Sequence, residues 1–384
     1  MRVTNFLALA AFFGATIADD VYLGFNSGST TDSSTAKRQA DFEKEFTVAQ
    51  TLQGTPGLFN SIRLYTNVQA NTDDTPIEAF PAAIKTNTKL LLGLWCSGTT
   101  SIDNELNALT KAIKQYGKDF TDLVVGISVG SEDLYRVSAP GIKNKSGPGA
   151  SANTIVGFIK DVRNKLKDTA LSKTPVGHVD TWTSWVNESN KDVIANSDFI
   201  GTNLFPYYED DKGNAINNAS NVFYAALNAT EKAAGEKPVW ITETGWPATG
   251  PDFGQAKATL DNAKSFWKDV GCTIFGRKNV WWYVLRDSNP ENKAKFAITP
   301  KLDTTPQFDL TCPVSTGTPI ATDSTPSPSR TPSPSSTSTG NSTSTGNNDQ
   351  TSDKPGSATG TSVSFMGTLT AVLLTGFALA AWIV

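Results

Sequence analysis

Eight short apolar runs, each separated from the next by a longer stretch of helical or polar character, most narrow what this chain can fold into. They are Val21–Phe25, Ser61–Tyr65, Lys89–Trp95, Leu123–Glu132, Thr174–Asp180, Phe199–Phe205, Pro238–Glu243 and Asn279–Leu285. Most are continuously apolar rather than alternating, which is the signature of parallel strands buried on both faces. Helix-like segments lie between them: Ala36–Leu52, Ile102–Tyr116, Ala152–Leu166, Asn221–Ala234 and Gln255–Val270. In Ala152–Leu166, the residues Ile155, Phe158, Ile159, Val162 and Leu166 fall on one face. Ile77–Ile84 is a shorter candidate that Pro81 is expected to interrupt or restart, and Lys191–Asn196 is a weak one. Eight strands joined by crossovers within residues 19–313 predict an α/β fold, a (β/α)8 TIM barrel. A doubly wound open sheet has the same pattern, but no Gly-x-Gly-x-x-Gly follows any run, which argues against its nucleotide-binding form.

Two runs end in a carboxylate. Val239–Ile241 leads into Thr242-Glu243-Thr244-Gly245-Trp246-Pro247, and Val124–Val129 leads into Gly130-Ser131-Glu132. A Glu closing a buried strand is costly to desolvate unless it is paired or has work to do. All strands of a TIM barrel point the same way and active sites form at their C-terminal ends. The fourth and seventh strands would therefore bring Glu132 and Glu243 into one cleft. Such a pair suits cleavage of a glycosidic bond, with one carboxyl protonated to assist the leaving oxygen and the other ionised to attack the anomeric carbon. A strand-end Glu in a structural ion pair is the plainer reading of either residue alone. The aromatics Trp246, Tyr207, Tyr208, Tyr65 and Trp182 sit at or just past strand ends, where they offer sugar platforms or simply pack the rim. Trp281 and Trp282 are adjacent on a strand, so at most one can line the cleft.

Composition excludes other chemistries. A net charge of -4 gives no footing for nucleic acid. One histidine and three cysteines make a zinc site improbable, so no metal or cofactor is expected. A Ser-His-Asp triad would need His178, which has no Gly-x-Ser-x-Gly elbow beside it and reads as structural or cleft-lining. Cys272 and Cys312 flank the last folded stretch and are read as a pair that staples it; Cys96 is read as a buried free thiol.

The ends carry a different message. Arg2 and the apolar Phe6–Ile17 read as a signal peptide cleaved after Ala18, giving residues 1–18. Residues 314–356 are rich in Ser, Thr and Pro and are expected to form a disordered, O-glycosylated stalk. Residues 357–384 end in an apolar tail without a basic flank, preceded by small residues, as in a glycosylphosphatidylinositol (GPI) attachment propeptide with the anchor at Gly356 or Ser357. A transmembrane span is the competing reading of that tail. Sequons at Asn144, Asn187, Asn218, Asn228 and Asn341 fit a secreted glycoprotein.

From Val21 to Cys312 the chain resembles glycoside hydrolase family 17, the β-1,3-glucanases, and within it the fungal wall-associated, lipid-anchored branch. The resemblance rests on Ile62-Arg63-Leu64-Tyr65, Val129-Gly130-Ser131-Glu132, Asn203-Leu204-Phe205-Pro206-Tyr207 and Glu243-Thr244-Gly245-Trp246-Pro247. It implies a retaining endo-β-1,3-glucanase in which Glu132 is the acid/base, Glu243 the nucleophile and Arg63 the counter-charge of Glu243. Arg63, Tyr65, Ser131, Asn203, Tyr207 and Trp246 would bind substrate. The implied partner is wall β-1,3-glucan and the implied place the outer face of the plasma membrane and the wall, held by the GPI anchor, with the protein acting as a monomer. A glucanosyltransferase would share the same intermediate; a non-catalytic glucan-binding mannoprotein would not need both carboxylates. Two departures stand out. Ser131 occupies a position where relatives place Asn, and Arg286-Asp287-Ser288 stands where relatives carry Phe-Asp-Glu.

Overall fold

The computed structural model describes residues 21–313. The signal peptide, the stalk, Asn341, Gly356, Ser357 and the propeptide lie outside the described residues. The eight runs form strands β1 (Leu23–Ser27), β2 (Ser61–Leu64), β3 (Lys89–Leu94), β4 (Val124–Ser131), β5 (Val176–Thr181), β6 (Ile200–Leu204), β7 (Val239–Thr244) and β8 (Val280–Trp282). Each pairs in parallel with its sequence neighbour, and β1 pairs with β8, so the sheet closes into a barrel. Closure rules out the doubly wound alternative.

Two apolar layers hold this arrangement. Between barrel and helices lies the main core, where Phe42 and Phe46 of the helix Gln39–Thr51 and Ile155, Ile159 and Val162 of Ala152–Leu166 pack against outward-facing Ile62, Leu90 and Ile127. Inside the barrel, Leu91, Phe199, Trp240 and Trp281 fill the space beneath the mouth. Phe199 and Trp240 stack at 3.9 Å between centroids, and the Trp281 indole donates to Ser61 Oγ at 3.0 Å. Gly126 makes this possible, since a Cβ there would approach the Trp240 ring to 2.7 Å.

Several elements depart from the sequence-based expectation. Pro81 neither interrupts nor restarts its helix. The helix begins at Ala79 and runs to Thr86, so Pro81 falls in the first turn, where the missing N–H has no intrahelical partner to lose. Lys191–Asn196 is helical. The helix expected from Gln255 begins only at Leu260, where Thr259 caps it by accepting from Asn262 N. Residues 253–257 form a loop instead, because the Asn214 amide donates to Phe253 O at 2.9 Å and accepts from Gln255 N at 2.8 Å. Beyond Phe266 the helix widens by one residue over Trp267–Gly271 before Cys272–Ile274. The eighth strand is short, and Tyr283–Leu285 lie past its end. Trp281 faces the barrel interior and Trp282 packs outward against Phe266, Trp267 and Phe275, so neither lines the cleft. Cys272 and Cys312 form a disulfide with a Cα separation of 5.4 Å, while Cys96 is buried and free.

Candidate active site

Glu243 is the fifth residue of β7 and is 1% exposed. Its Oε1 accepts from Arg63 Nη1 at 2.5 Å and from the Tyr65 hydroxyl at 2.9 Å, both from β2 and the residue after it. Arg63 is held in turn by Asn26 Oδ1 on β1 (2.8 Å) and Ser131 Oγ on β4 (2.9 Å). Asn26 is fixed by donating to the carbonyls of Thr242 and Trp281 at 3.0 Å each. Four strands thus aim one guanidinium at one carboxylate. Breaking such a buried pair typically costs about 3–5 kcal/mol, because the remaining charge has no water to turn to. Glu243 Oε2 is buried and has no hydrogen-bond partner among the described residues. Burial, followed by the negative charge of Glu243, pushes the Tyr65 phenol well above its ordinary range, which keeps it an O–H donor.

Glu132 is placed differently. It is the residue after β4, with φ of 59°, and it is 5% exposed. A non-glycine residue in this left-handed region is held by its surroundings at a cost. The hold is visible. Glu132 N donates to Val179 O at 2.9 Å, and Asp180 accepts from the backbone N–H groups of Leu134 (2.8 Å) and Tyr135 (3.2 Å). His178 braces Asp180 at 3.0 Å and reaches Val129 O at 2.6 Å through its other nitrogen, a wholly buried structural role. Gly130 is required at φ of 85°, since a Cβ would meet Asp133 Oδ2 at 2.2 Å. The Glu132 carboxylate accepts from the Asn203 amide of β6 at 2.9 Å. Burial and then the charge of Glu243 push Glu132 up to about 7. The two carboxylates therefore share one field at the C-terminal mouth, one facing a cation and one inclined to hold its proton.

A model of the BtgE/BtgC glycoside hydrolase domain matches residues 24–297, spanning every strand of the barrel. The chain belongs to the BtgE/BtgC glycoside hydrolase family. It is 49% identical to the probable glucan endo-1,3-beta-glucosidase eglC of Aspergillus oryzae over 76% of its own length and 62% of that protein. It is also 49% identical to the eglC protein of Aspergillus fumigatus over 76% of its length and 64% of that protein. The chain thus spans a little under two thirds of these relatives. In fold it resembles the crystal structure of a glycoside hydrolase family 17 beta-1,3-glucanosyltransferase from Rhizomucor miehei. The TM-score is 0.62 at 23% identity, covering 76% of this chain and 98% of that one.

Within this BtgE/BtgC domain, Arg63, Tyr65, Ser131 and Asn203 meet around the two carboxylates, but they grip the carboxylates and one another. Ser131 spends its hydroxyl on Arg63. Trp246 and Tyr207, expected as sugar platforms, are 3% and 1% exposed in the ligand-free chain. The Trp246 indole donates to Lys257 O at 2.9 Å, the Tyr207 hydroxyl bonds Pro251 O, and the two rings pack edge to face. They shape the rim from below. Of the other aromatics, Trp182 remains partly open, its indole donating to Glu209 at 2.6 Å. Sequence reasoning missed Asn26, Asp180 and Tyr283. The Tyr283 phenol lies close enough to Glu243 for that charge to add to burial in raising it well above its ordinary range. Asn26 directly follows the first apolar run, and a polar residue at a strand end is the signal that could have found it. Four sequons fall on described residues: Asn187 is exposed in a turn, Asn228 is exposed on a helix, and the amides of Asn144 and Asn218 are bonded to Tyr135 and Gly213.

Proposed function

We propose that the protein is a retaining glycoside hydrolase that cleaves internal β-1,3 bonds of cell-wall glucan. The observation that carries this is the contrast between a carboxylate paired with Arg63 and a second one raised to about 7 at the same barrel mouth. In the first step Glu243 Oε2 attacks the anomeric carbon while Glu132 gives its proton to the departing glycosidic oxygen. The bond to the leaving sugar breaks as the glycosyl-enzyme ester forms. Asn203 holds Glu132 in line, and the Arg63–Tyr65 pair receives the charge that Glu243 regains in the second step. There Glu132 takes a proton from water, whose oxygen attacks the same carbon and releases Glu243. Two configurational inversions return the starting anomer.

The β-1,3-glucan specificity is supported by the names of the relatives, glucan endo-1,3-beta-glucosidases. If a sugar hydroxyl replaces water in the second step, the same site is a glucanosyltransferase. The apolar N-terminal run, the sequons, the Ser/Thr/Pro-rich composition of residues 314–356 and the apolar tail after Gly356 and Ser357 are the sequence features that support a GPI-anchored glycoprotein on the outer face of the membrane and in the wall, which we read as acting as a monomer. The test is to incubate purified protein with a defined β-1,3-gluco-oligosaccharide and follow product size and anomeric form. Shorter β-products are expected; longer products identify transfer, α-products overturn retention, and absence of turnover overturns the enzymatic reading.

A further inference from the structure

A pocket opens at the same barrel mouth, on the rim formed by the segments that follow β1, β7 and β8. It holds about 280 Å³ and is lined by Asp32, Thr249, Arg286, Asp287, Lys295 and Gln307 among others. That is near the small end of the ~300–1,000 Å³ range of small-molecule sites, the scale of a sugar ring rather than a larger ligand. Its walls are fixed to the nucleophile strand. Ala248 N donates to Lys295 O, and Lys295 N to Thr249 O, both at 2.8 Å, so the segment after β8 is stitched to the turn that follows Glu243.

Arg286 is the unusual member. It is only partly exposed, its Nε is buried without a partner, and it makes no hydrogen bond or ion pair with any described residue. Two carboxylates line the pocket with it, and neither forms an ion pair with it: Asp32 is exposed on the rim. Asp287 is occupied by the backbone N–H groups of Phe296 and Ala297 at 3.0 Å each. The neighbouring buried charge is Lys37, another cation, whose partner Glu45 is bonded to it at 2.7 Å. A partly desolvated guanidinium without a carboxylate is costly unless a ligand supplies acceptors. The lining mixes donors and acceptors, with Ala248, Ala297 and Pro300 as apolar surface, which suits a neutral polyol with a flat face better than an anion.

Barrel order says which part of the substrate reaches it. In the closed barrel β8 stands opposite β4, the strand that delivers Glu132, and beside β7, which delivers Glu243. The leaving sugar departs on the side of the acid/base, so the opposite rim takes the segment that stays joined to the nucleophile. We propose that Arg286 is a specificity-determining residue that grips hydroxyls of a glucosyl unit on the retained side of the chain, one or more sugars away from the bond that breaks. The proposal rests on the β-1,3-glucan reading above and adds to it a residue that the two-carboxylate mechanism does not use.

The test compares the wild-type protein with Arg286→Met and Arg286→Lys on β-1,3-gluco-oligosaccharides from the trisaccharide to the heptasaccharide. Losing a charge-assisted hydrogen bond to the longer substrates is expected to lower their kcat/KM roughly tenfold, mainly through KM. The shortest substrate should be unaffected, and Lys should restore part of the loss. Thermal unfolding should not fall, since Arg286 has no protein partner to lose. An equal loss at every length, or no loss at any length, overturns the proposal while leaving the glucanase reading intact. If the wild type cuts none of these substrates, the glucanase reading fails by itself. Calorimetric titration with the heptasaccharide then decides the pocket: weaker binding by Arg286→Met supports it, and equal or absent binding overturns it.

Discussion

At the mouth of β7, Glu243 still belongs to its strand, just past a register shift against β6, and its carboxylate meets a guanidinium at 2.5 Å and a phenol at 2.9 Å. At the mouth of β4, Glu132 has already left the strand through a left-handed residue and receives a neutral amide at 2.9 Å. Both side chains are almost completely buried. Burial alone therefore does not distinguish them; the identity of the partner does. A cation at contact offsets desolvation of the charge, whereas the charge of Arg136 and the Asn203 amide offset only part of it at Glu132, and the uncompensated burial together with the charge of Glu243 appears as proton affinity. The pair illustrates how one residue type is set to two tasks by its neighbours.

The largest test of this contrast removes the charge of Glu243. Glu243→Gln keeps the shape and a hydrogen-bonding group but no longer attacks carbon. Turnover should fall by about 10⁴-fold or more, equivalent to a barrier higher by about 5 kcal/mol. Circular dichroism should show the fold intact. Substantial residual turnover would mean that the nucleophile lies elsewhere.

Next in size is the counter-charge. Arg63→Met should cost about 3–5 kcal/mol in urea unfolding, because Glu243 is left as an unpaired buried charge. The double variant Arg63→Met with Glu243→Gln sharpens the point. If the guanidinium matters as the partner of that carboxylate, the double variant should recover much of the lost stability. If it matters for packing among Asn26, Tyr65 and Ser131, the loss should persist.

The contrast also explains which parts of the site could be read from the chain. Eight buried strands advertise themselves as apolar runs, and a lone Glu at the end of such a run is conspicuous because its desolvation demands a reason. What surrounds Glu132 leaves no comparable trace. Its left-handed backbone follows β4, while the Asp180 carboxylate that accepts from the following turn and the His178 that braces it come from β5, and their meeting is a tertiary fact. Trp246 and Tyr207 are hard to read for another reason. An aromatic beside a strand end looks the same whether its ring faces a sugar or, as here, packs against its neighbours with its polar atom bonded to a backbone carbonyl. Pro81 depends on the helix start: from Ile77 it would fall past the first turn, but from Ala79 it lies within it, and a proline is disruptive or harmless according to that difference.

The smallest effect concerns the amide on the acid/base itself. In the proposed mechanism Glu132 must carry its proton to assist the leaving oxygen, so kcat/KM should decline as pH rises through about 7. The Asn203 amide donates to the carboxylate and favours its ionised form, which opposes the burial that raises it. Asn203→Ala removes that opposition and should move the alkaline limb upward by about half a pH unit to one unit, the equivalent of one ordinary hydrogen bond. The maximal rate should also drop several-fold, since Glu132 loses the group that orients it. The pH profile separates these two consequences. A drop in rate with an unmoved limb would make Asn203 a spacer only. A downward move would mean that the amide favours the protonated form, and the electrostatic account of the β4 mouth would then have the wrong sign.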